Sequence, residues 1–304
     1  MSAASIQTDG RPAFIDVHVH VRARHCGILR GGRQPYATPD ELLARYDEIG
    51  VEKAILLPAA SPECQYVPQT VHEVIDICER YPERFVPFCN VDPRALTNSP
   101  DAPLDELLAH YKDLGCRGVG EVTANLRFDD PLVLNLFARC EKLALPLTFH
   151  VAPAVGGCYG LYDDPGLPLL EAALKRFPTL VFLGHSQPFW AEISPLDTPD
   201  DRKGYPKGPV KDGGRTLELF RRYPNLHGDL SAMSGFNAVS RDEAFGACFL
   251  ADFQDRLHFG TDITAPDTPT PLPAFLAKLR NENKITEDCF NKIARDNSVK
   301  LLGL

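Results

Sequence analysis

No stretch of this 304-residue chain is a candidate membrane span: the longest uncharged run, residues 144–162, is broken by His150, prolines and glycines. Residues 1–12 are polar and lack the apolar segment of a secretion signal, so a cytoplasmic location is the expectation. Neither G-x-G-x-x-G nor G-x-x-x-x-G-K-[ST] occurs, which argues against a phosphate-cradling nucleotide loop. No C-x-x-C pair occurs among the nine cysteines, an odd number scattered through apolar stretches, and they read as reduced, structural thiols. No Lys/Arg run offsets the formal charge of -9, so neither nucleic acid nor an anionic membrane is an expected partner. Ser186 sits in Gly184-His185-Ser186-Gln187-Pro188, which is not a G-x-S-x-G elbow, and this argues against a serine nucleophile.

Hydrophobic residues at 44% and charged residues at 24% are those of an ordinary globular protein with a sizeable core. Short β-branched and apolar runs recur at 14–20, 53–58, 85–91, 116–122, 145–151, 180–185, 226–231 and 257–262, giving eight candidate strands. Amphipathic helical patterns lie between them, with starts such as Thr38-Pro39-Asp40 and Asp130-Pro131. Strands joined by crossover helices pair in parallel, and eight such units predict a single-domain α/β protein, a (β/α)8 TIM barrel spanning residues 1–304. Strand spacing stretches to about 46 residues between the sixth and seventh strands, which places an insertion, rich in Gly, Pro and Lys, at 197–214.

His18 and His20 close the first strand, His150 the fifth, His185 the sixth and Asp262 the eighth. In a βα barrel these C-terminal ends converge on one mouth, where active sites are found. The period of two puts His18 and His20 on one side of their strand, a geometry suited to metal capture. Four imidazoles and a carboxylate make a mixed N/O site for a divalent metal, with zinc favoured and Mn, Fe or Co as alternatives. Glu121 ends the fourth strand at the same mouth and could bridge a second ion, ligate a single one, or orient a histidine. His72, His110, His227 and His258 read as surface or hydrogen-bonded histidines, and His25 and Cys26 as part of a solvated loop. Substrate contacts are sought at the rim: Arg22 or Arg24 for an anionic group, and Trp190 with Lys203, Tyr205 and Lys207 as a lid over an apolar or aromatic acid. In such a site the metal polarises a carbonyl and activates water, Asp262 serves as general base and acid, and His185 reaches the substrate oxygen.

The segments Asp16-Val17-His18-Val19-His20, Gly120-Glu121-Val122, Thr148-Phe149-His150, Leu183-Gly184-His185-Ser186 and Phe259-Gly260-Thr261-Asp262 together resemble the amidohydrolase superfamily, in its amidohydrolase-2 branch of barrel hydrolases and decarboxylases. Residues 297–304 resemble the short C-terminal helix that ends many of its members. The resemblance implies that His18, His20 and His150 are metal ligands, His185 a ligand or polarising residue, and Asp262 a ligand and proton shuttle. It leaves one or two ions open at Glu121, since two-metal members often bridge with a fourth-strand Lys or Glu. The expected activity is therefore hydrolysis of a small amide, ester or lactone. Non-oxidative decarboxylation of an aromatic or unsaturated acid is the alternative, and a non-enzymatic metal-dependent binding protein the third. The expected partner is a small molecule, anionic or aromatic; the sequence is compatible with a homodimer.

Overall fold

The computed structural model describes residues 13–25, 36–64 and 68–304. Nine strands occur among them: β1 Phe14–Val19, β2 Val51–Leu56, β3 Phe85–Pro87, β4 Val119–Val122, β5 Leu147–Ala152, β6 Leu161–Tyr162, β7 Phe182–His185, β8 Leu226–Asp229 and β9 Leu257–His258. Every pairing is parallel, in the order β1-β2-β3 and β4-β5-β7-β8-β9, with β6 attached to β5. The edges of the two sheets meet. On one side Cys89 bridges Val119, and Gly120 N–H donates to the Cys89 carbonyl at 2.8 Å. On the other Val19 bridges Ile263, and Val17 N–H donates to the Phe259 carbonyl at 3.0 Å. Eight strands thereby close into the expected barrel, and β6 is an additional two-residue strand that the apolar pattern did not announce.

β1 and β5 are buried at every position, as strands of a parallel barrel must be when lumen and helices cover both faces. The helix Pro39–Ile49 starts with a Thr38/Glu41 capping box and stops at Gly50 with φ 81°, a left-handed value that glycine adopts at little cost. Asp130 caps Pro131–Leu143 by accepting from Leu132 N–H at 2.8 Å. The third and the last expected strands lose most of their apolar runs. The third stops at Pro87, which has no N–H for the ladder, and the last at His258, beyond which the backbone turns and Asp262 adopts φ 54°. The insertion holds one 3-10 turn, Pro199–Lys203. Among the described residues no helix is long and apolar enough to cross a membrane.

The short helix Gln187–Ala191 lies flush on β7 and β8 because glycines face it. A Cβ at Gly184 would fall 2.3 Å from the Phe189 ring, and one at Gly228 2.9 Å from Trp190. Trp190 itself is buried there, its Nε1–H donating to the Asp229 carbonyl at 3.0 Å and its ring stacked near Phe220. This corrects its expected place in a lid: the indole is core packing outside the barrel wall, and its one polar atom is satisfied by the strand it supports.

His227 on β8 and His258 on β9 stack, with Nδ1 of the first 2.9 Å from Nε2 of the second. His258 Nδ1 lies 3.1 Å from Ser298 Oγ on the terminal helix Asn297–Leu302. Burial pushes His258 down to about 4 against the pull of Asp229, while burial, His258, Arg256 and Lys300 together push His227 down to about 2. Both rings are neutral in the folded chain, so stability is fully present above the ordinary histidine value of 6.5 and falls as the unfolded chain takes up protons below it. Urea midpoints should decline from pH 6.5 towards 4, by about 1.4 kcal/mol per pH unit for each such histidine, and His258→Gln should flatten that slope. An unchanged slope in the variant would refute this role.

Candidate metal centre

The side chain of His18 is wholly buried, and its Nδ1 lies 2.6 Å from Asp229 Oδ2. Burial opposes ionisation of Asp229, but His18 and His185 beside it hold its carboxyl far below the usual range. An ionised carboxylate only accepts, so His18 Nδ1 carries the proton and Nε2 presents its lone pair. His20 is set in the same way: its Nδ1 lies 2.8 Å from the Leu57 carbonyl, again acceptor only. The two Nε2 atoms then face each other at 3.2 Å. Two lone pairs at that separation require a cation between them, either a proton or a metal ion.

The surrounding donors suit a metal ion. Glu121 Oε2 lies 3.6 Å from His18 Nε2 and 3.5 Å from His20 Nε2, and Asp262 Oδ1 lies 3.7 Å and 3.8 Å from the same atoms. His185 Nε2 is 3.8 Å from Glu121 Oε1 and 3.9 Å from Asp262 Oδ2. Ligands at about 2.1 Å from one ion lie roughly 3–4.2 Å from one another, so each of these pairs fits a shared ion. Two triads have their ligand atoms within 4.8 Å of one another, His18 with Glu121 and His185, and His18 with His20 and Asp262. Burial alone would raise Glu121, yet His150, His18 and His20 hold it well below the carboxylate range. His18 is the converse: burial lowers it, and Asp229 outweighs that and holds it well above the histidine range, so that without an ion Nε2 takes the second proton whose place a metal would fill.

The barrel scaffolding explains these positions. Gly120 carries φ 143°, and a Cβ there would meet the Thr148 carbonyl at 2.7 Å, so glycine lets the Glu121 turn nestle against β5. Asp16 accepts from His18 N–H and Thr261 N–H, both at 2.9 Å, and from the hydroxyls of Tyr46 and Thr261. It thereby fastens β1 to the turn that presents Asp262. Burial nevertheless raises Asp16 to about 6, more than its four hydrogen bonds lower it.

The expected residues are not all brought to the same place. His18, His20, Glu121, His185 and Asp262 converge. His150 lies one step outside, its Nδ1 2.7 Å from Glu121 Oε1 and its ring 4.6 Å from Tyr159. With Tyr159, Gln187, Arg202 and Lys203 it lines a cavity of about 340 Å3. Arg22 is buried and held by Glu73 at 3.3 Å. Lys207, expected at the mouth, is exposed and lines a different pocket with Lys211 and Arg241; the insertion turns its Lys203, and not Lys207, towards His150. Trp190 is in the core, as described above. Ser186 Oγ is occupied by the N–H groups of Val151 and Phe189. His72 and His110 are exposed, and His25 contacts Glu41 at the surface; Cys26 lies outside the described residues.

Three residues escaped the sequence reading. Asp229 ends β8 as Glu121 ends β4, and that placement was a usable signal. Ser231 Oγ lies 3.0 Å from His185 Nδ1, a contact that only the fold reveals. Tyr36 packs 6.2 Å from the His20 ring; burial, with Cys64, Asp262 and Glu121 adding, raises its hydroxyl so that it stays a donor.

Residues 15–304 match the family model described as amidohydrolase. No curated protein matches the chain. Among solved structures, an uncharacterized TIM-barrel protein from Bordetella bronchiseptica is 16% identical with a TM-score of 0.65, covering 96% of this chain and 98% of that one. A 5-carboxyvanillate decarboxylase from Novosphingobium aromaticivorans, complexed with manganese and 4-hydroxy-3-methoxy-5-nitrobenzoic acid, is 15% identical with a TM-score of 0.61, covering 97% of each chain. A probable 2-pyrone-4,6-dicarboxylic acid hydrolase from Acinetobacter baumannii, with citric acid bound, is 15% identical with a TM-score of 0.56, covering 96% of this chain and 99% of that one. At these identities the likeness establishes the barrel fold.

Asp229→Asn keeps an acceptor for His18 Nδ1 but removes the charge behind it, and should weaken metal retention about 10–100-fold. Dialysis against a graded zinc chelator, read by elemental analysis beside His18→Ala, measures this. Retention equal to wild type in both variants would refute the centre.

Proposed function

The chain belongs to the amidohydrolase family, and from that premise we propose that it is a metal-dependent hydrolase of a small amide, ester or lactone. The observation that carries the reading is the contrast among the converging groups. His18, His20, Glu121 and His185 are buried, whereas the Asp262 side chain, equally close to both Nε2 atoms, is 25% exposed. His18, His20 and Glu121, with Asp262, would hold the ion and leave His185 to act on the substrate, and their chemistry suits zinc, manganese, iron or cobalt. A divalent ion bound there polarises a substrate carbonyl and makes water a competent nucleophile near neutral pH.

The residues of the chain supply the rest. Asp262, open on one side, takes the proton from the attacking water and returns it to the leaving group. His185 is oriented by Ser231 Oγ at 3.0 Å and Asp229 Oδ2 at 3.4 Å. Burial and the His18 charge lower its basicity, but Asp229 and Glu121 prevail and hold it above the ordinary histidine value, so it can donate to an oxygen that gains charge. Glu121 fixes the His150 ring, and His150 with Tyr159 forms the inner wall of the cavity that would receive the substrate. Tyr36 adds a hydroxyl donor on the His20 side.

One observation favours a second reading, decarboxylation of an aromatic or unsaturated acid. His18 Nε2, His20 Nε2 and Glu121 Oε2 lie 3.2–3.6 Å from one another, a spacing that one ion answers, so Glu121 needs no second metal for that contact. In that reaction Asp262 would protonate the carbon that loses CO2.

The two readings separate in water enriched in oxygen-18. The metal-loaded protein, offered small lactones, N-acyl amides, aryl esters and hydroxybenzoic acids, should place the label in a product carboxylate. Asp262→Asn, which keeps a ligating oxygen, should lower kcat about 10^3-fold with metal still bound. CO2 release without label would replace hydrolysis by decarboxylation, and full activity in Asp262→Asn would overturn both.

A further inference from the structure

The loop that leaves β5 reads Pro153-Ala154-Val155-Gly156-Gly157-Cys158-Tyr159-Gly160, with three glycines and no charged residue. The glycines take positive φ values of 82°, 73° and 105°, so the segment has little stiffness of its own. Asn125, four residues beyond Glu121, pins it at both ends and in the middle. Its Nδ2 donates to the carbonyls of Ala154 at 3.1 Å and Gly160 at 3.2 Å, and its Oδ1 accepts from Gly156 N–H. Gly160 N–H donates in turn to the Thr123 carbonyl at 2.7 Å, which lays the loop along the end of β4.

The pinning fixes Tyr159. Gly160 sits against His150, where a Cβ would fall 2.7 Å from the His150 carbonyl and 2.8 Å from its Cδ2. This close approach carries the Tyr159 ring to His150, with centroids 4.6 Å apart and planes at 52°, and both residues line the cavity beside the metal centre. The charged groups in the same lining are engaged elsewhere: Glu63 with Arg94 at 2.6 Å, Arg202 with Glu192 at 3.0 Å and Lys203 with Asp200 at 2.7 Å. What this wall offers an incoming group is therefore two rings and not a charge. We propose that Tyr159 is a specificity-determining residue, selecting substrates whose group next to the reacting carbon is flat and uncharged, and that Asn125 is the residue that positions it.

The end of β4 thereby addresses the cavity twice. Glu121 fixes His150 through Nδ1 at 2.7 Å, and Asn125 fixes Tyr159 through the loop. A ring already held in place stacks on a flat group with little further ordering, whereas a loop released from Asn125 has to be ordered at each encounter. Loss of Asn125 thus weakens recognition of the flat group and leaves the metal ligands alone. The inference rests on the reading of the metal centre as the place where the reacting group of the substrate binds, and it holds for hydrolysis and decarboxylation alike.

Hydroxamates test it, because they chelate a divalent ion through one common group and differ in the substituent that enters the cavity. Isothermal titration of the metal-loaded full chain with acetohydroxamate and with benzohydroxamate gives a ratio of affinities. In the wild type benzohydroxamate should bind about tenfold more tightly. Asn125→Ala should bring that advantage down to about twofold, with metal content and acetohydroxamate affinity unchanged. Asn125→Asp, which keeps the acceptor for Gly156 N–H and loses the donors, should do the same. Tyr159→Leu should lower the ratio likewise, and Tyr159→Phe, which keeps the ring, should preserve it. Equal affinities in the wild type, or an advantage undiminished in either Asn125→Ala or Tyr159→Leu, would overturn the proposal. Acetohydroxamate that fails to bind the wild type would instead sink the metal-centre reading, and the proposal with it.

Discussion

The hydrogen bond from His18 Nδ1 to Asp229, 2.6 Å long and wholly buried, is the contact on which the site depends. It fixes which nitrogen of His18 carries the proton, and so turns the Nε2 lone pair towards His20. Asp229 also stands 3.4 Å from His185 Nδ1 and accepts from Ser231 N–H through its other oxygen at 2.9 Å. One carboxylate therefore sets two imidazoles and the turn after β8. A charge so deeply buried persists only because every side of it is answered, and removing it would strand two histidines in a dry interior.

The second constraint is the seam between β1 and the segment after β9. Asp16 spans it with four hydrogen bonds, and Asp262 N–H donates to the His18 carbonyl at 2.8 Å. The left-handed backbone of Asp262 belongs to this arrangement, since it lets the chain leave β9 and still aim a carboxylate back at β1. Regular strand geometry could not present it so.

Much of this was legible in the sequence because barrel strands are apolar on both faces and end in residues that cannot be core. His18, His20, His185 and Asp262 stood out as polar termini of apolar runs. Asp229 carries the same mark, as the one acidic residue of the apolar run at 226–231. The failures have a different origin. Trp190 is amphipathic, and its sequence neighbours could not show that Gly184 and Gly228 open a seat for it against the wall. Lys207 and Lys203 are four residues apart on one insertion, and nothing short of its fold could show that they face different pockets. His150 stands apart from these: its Nδ1 lies 2.7 Å from Glu121 Oε1, and its part as a ligand remains a proposal.

His18 lies on the first strand and Asp262 beyond the last, on opposite sides of the one seam where the barrel's beginning meets its end. An ion held by both is thus also a clasp. It would fasten together two parts of the barrel that lie far apart in sequence, so that ion binding and closure of the ring would be linked.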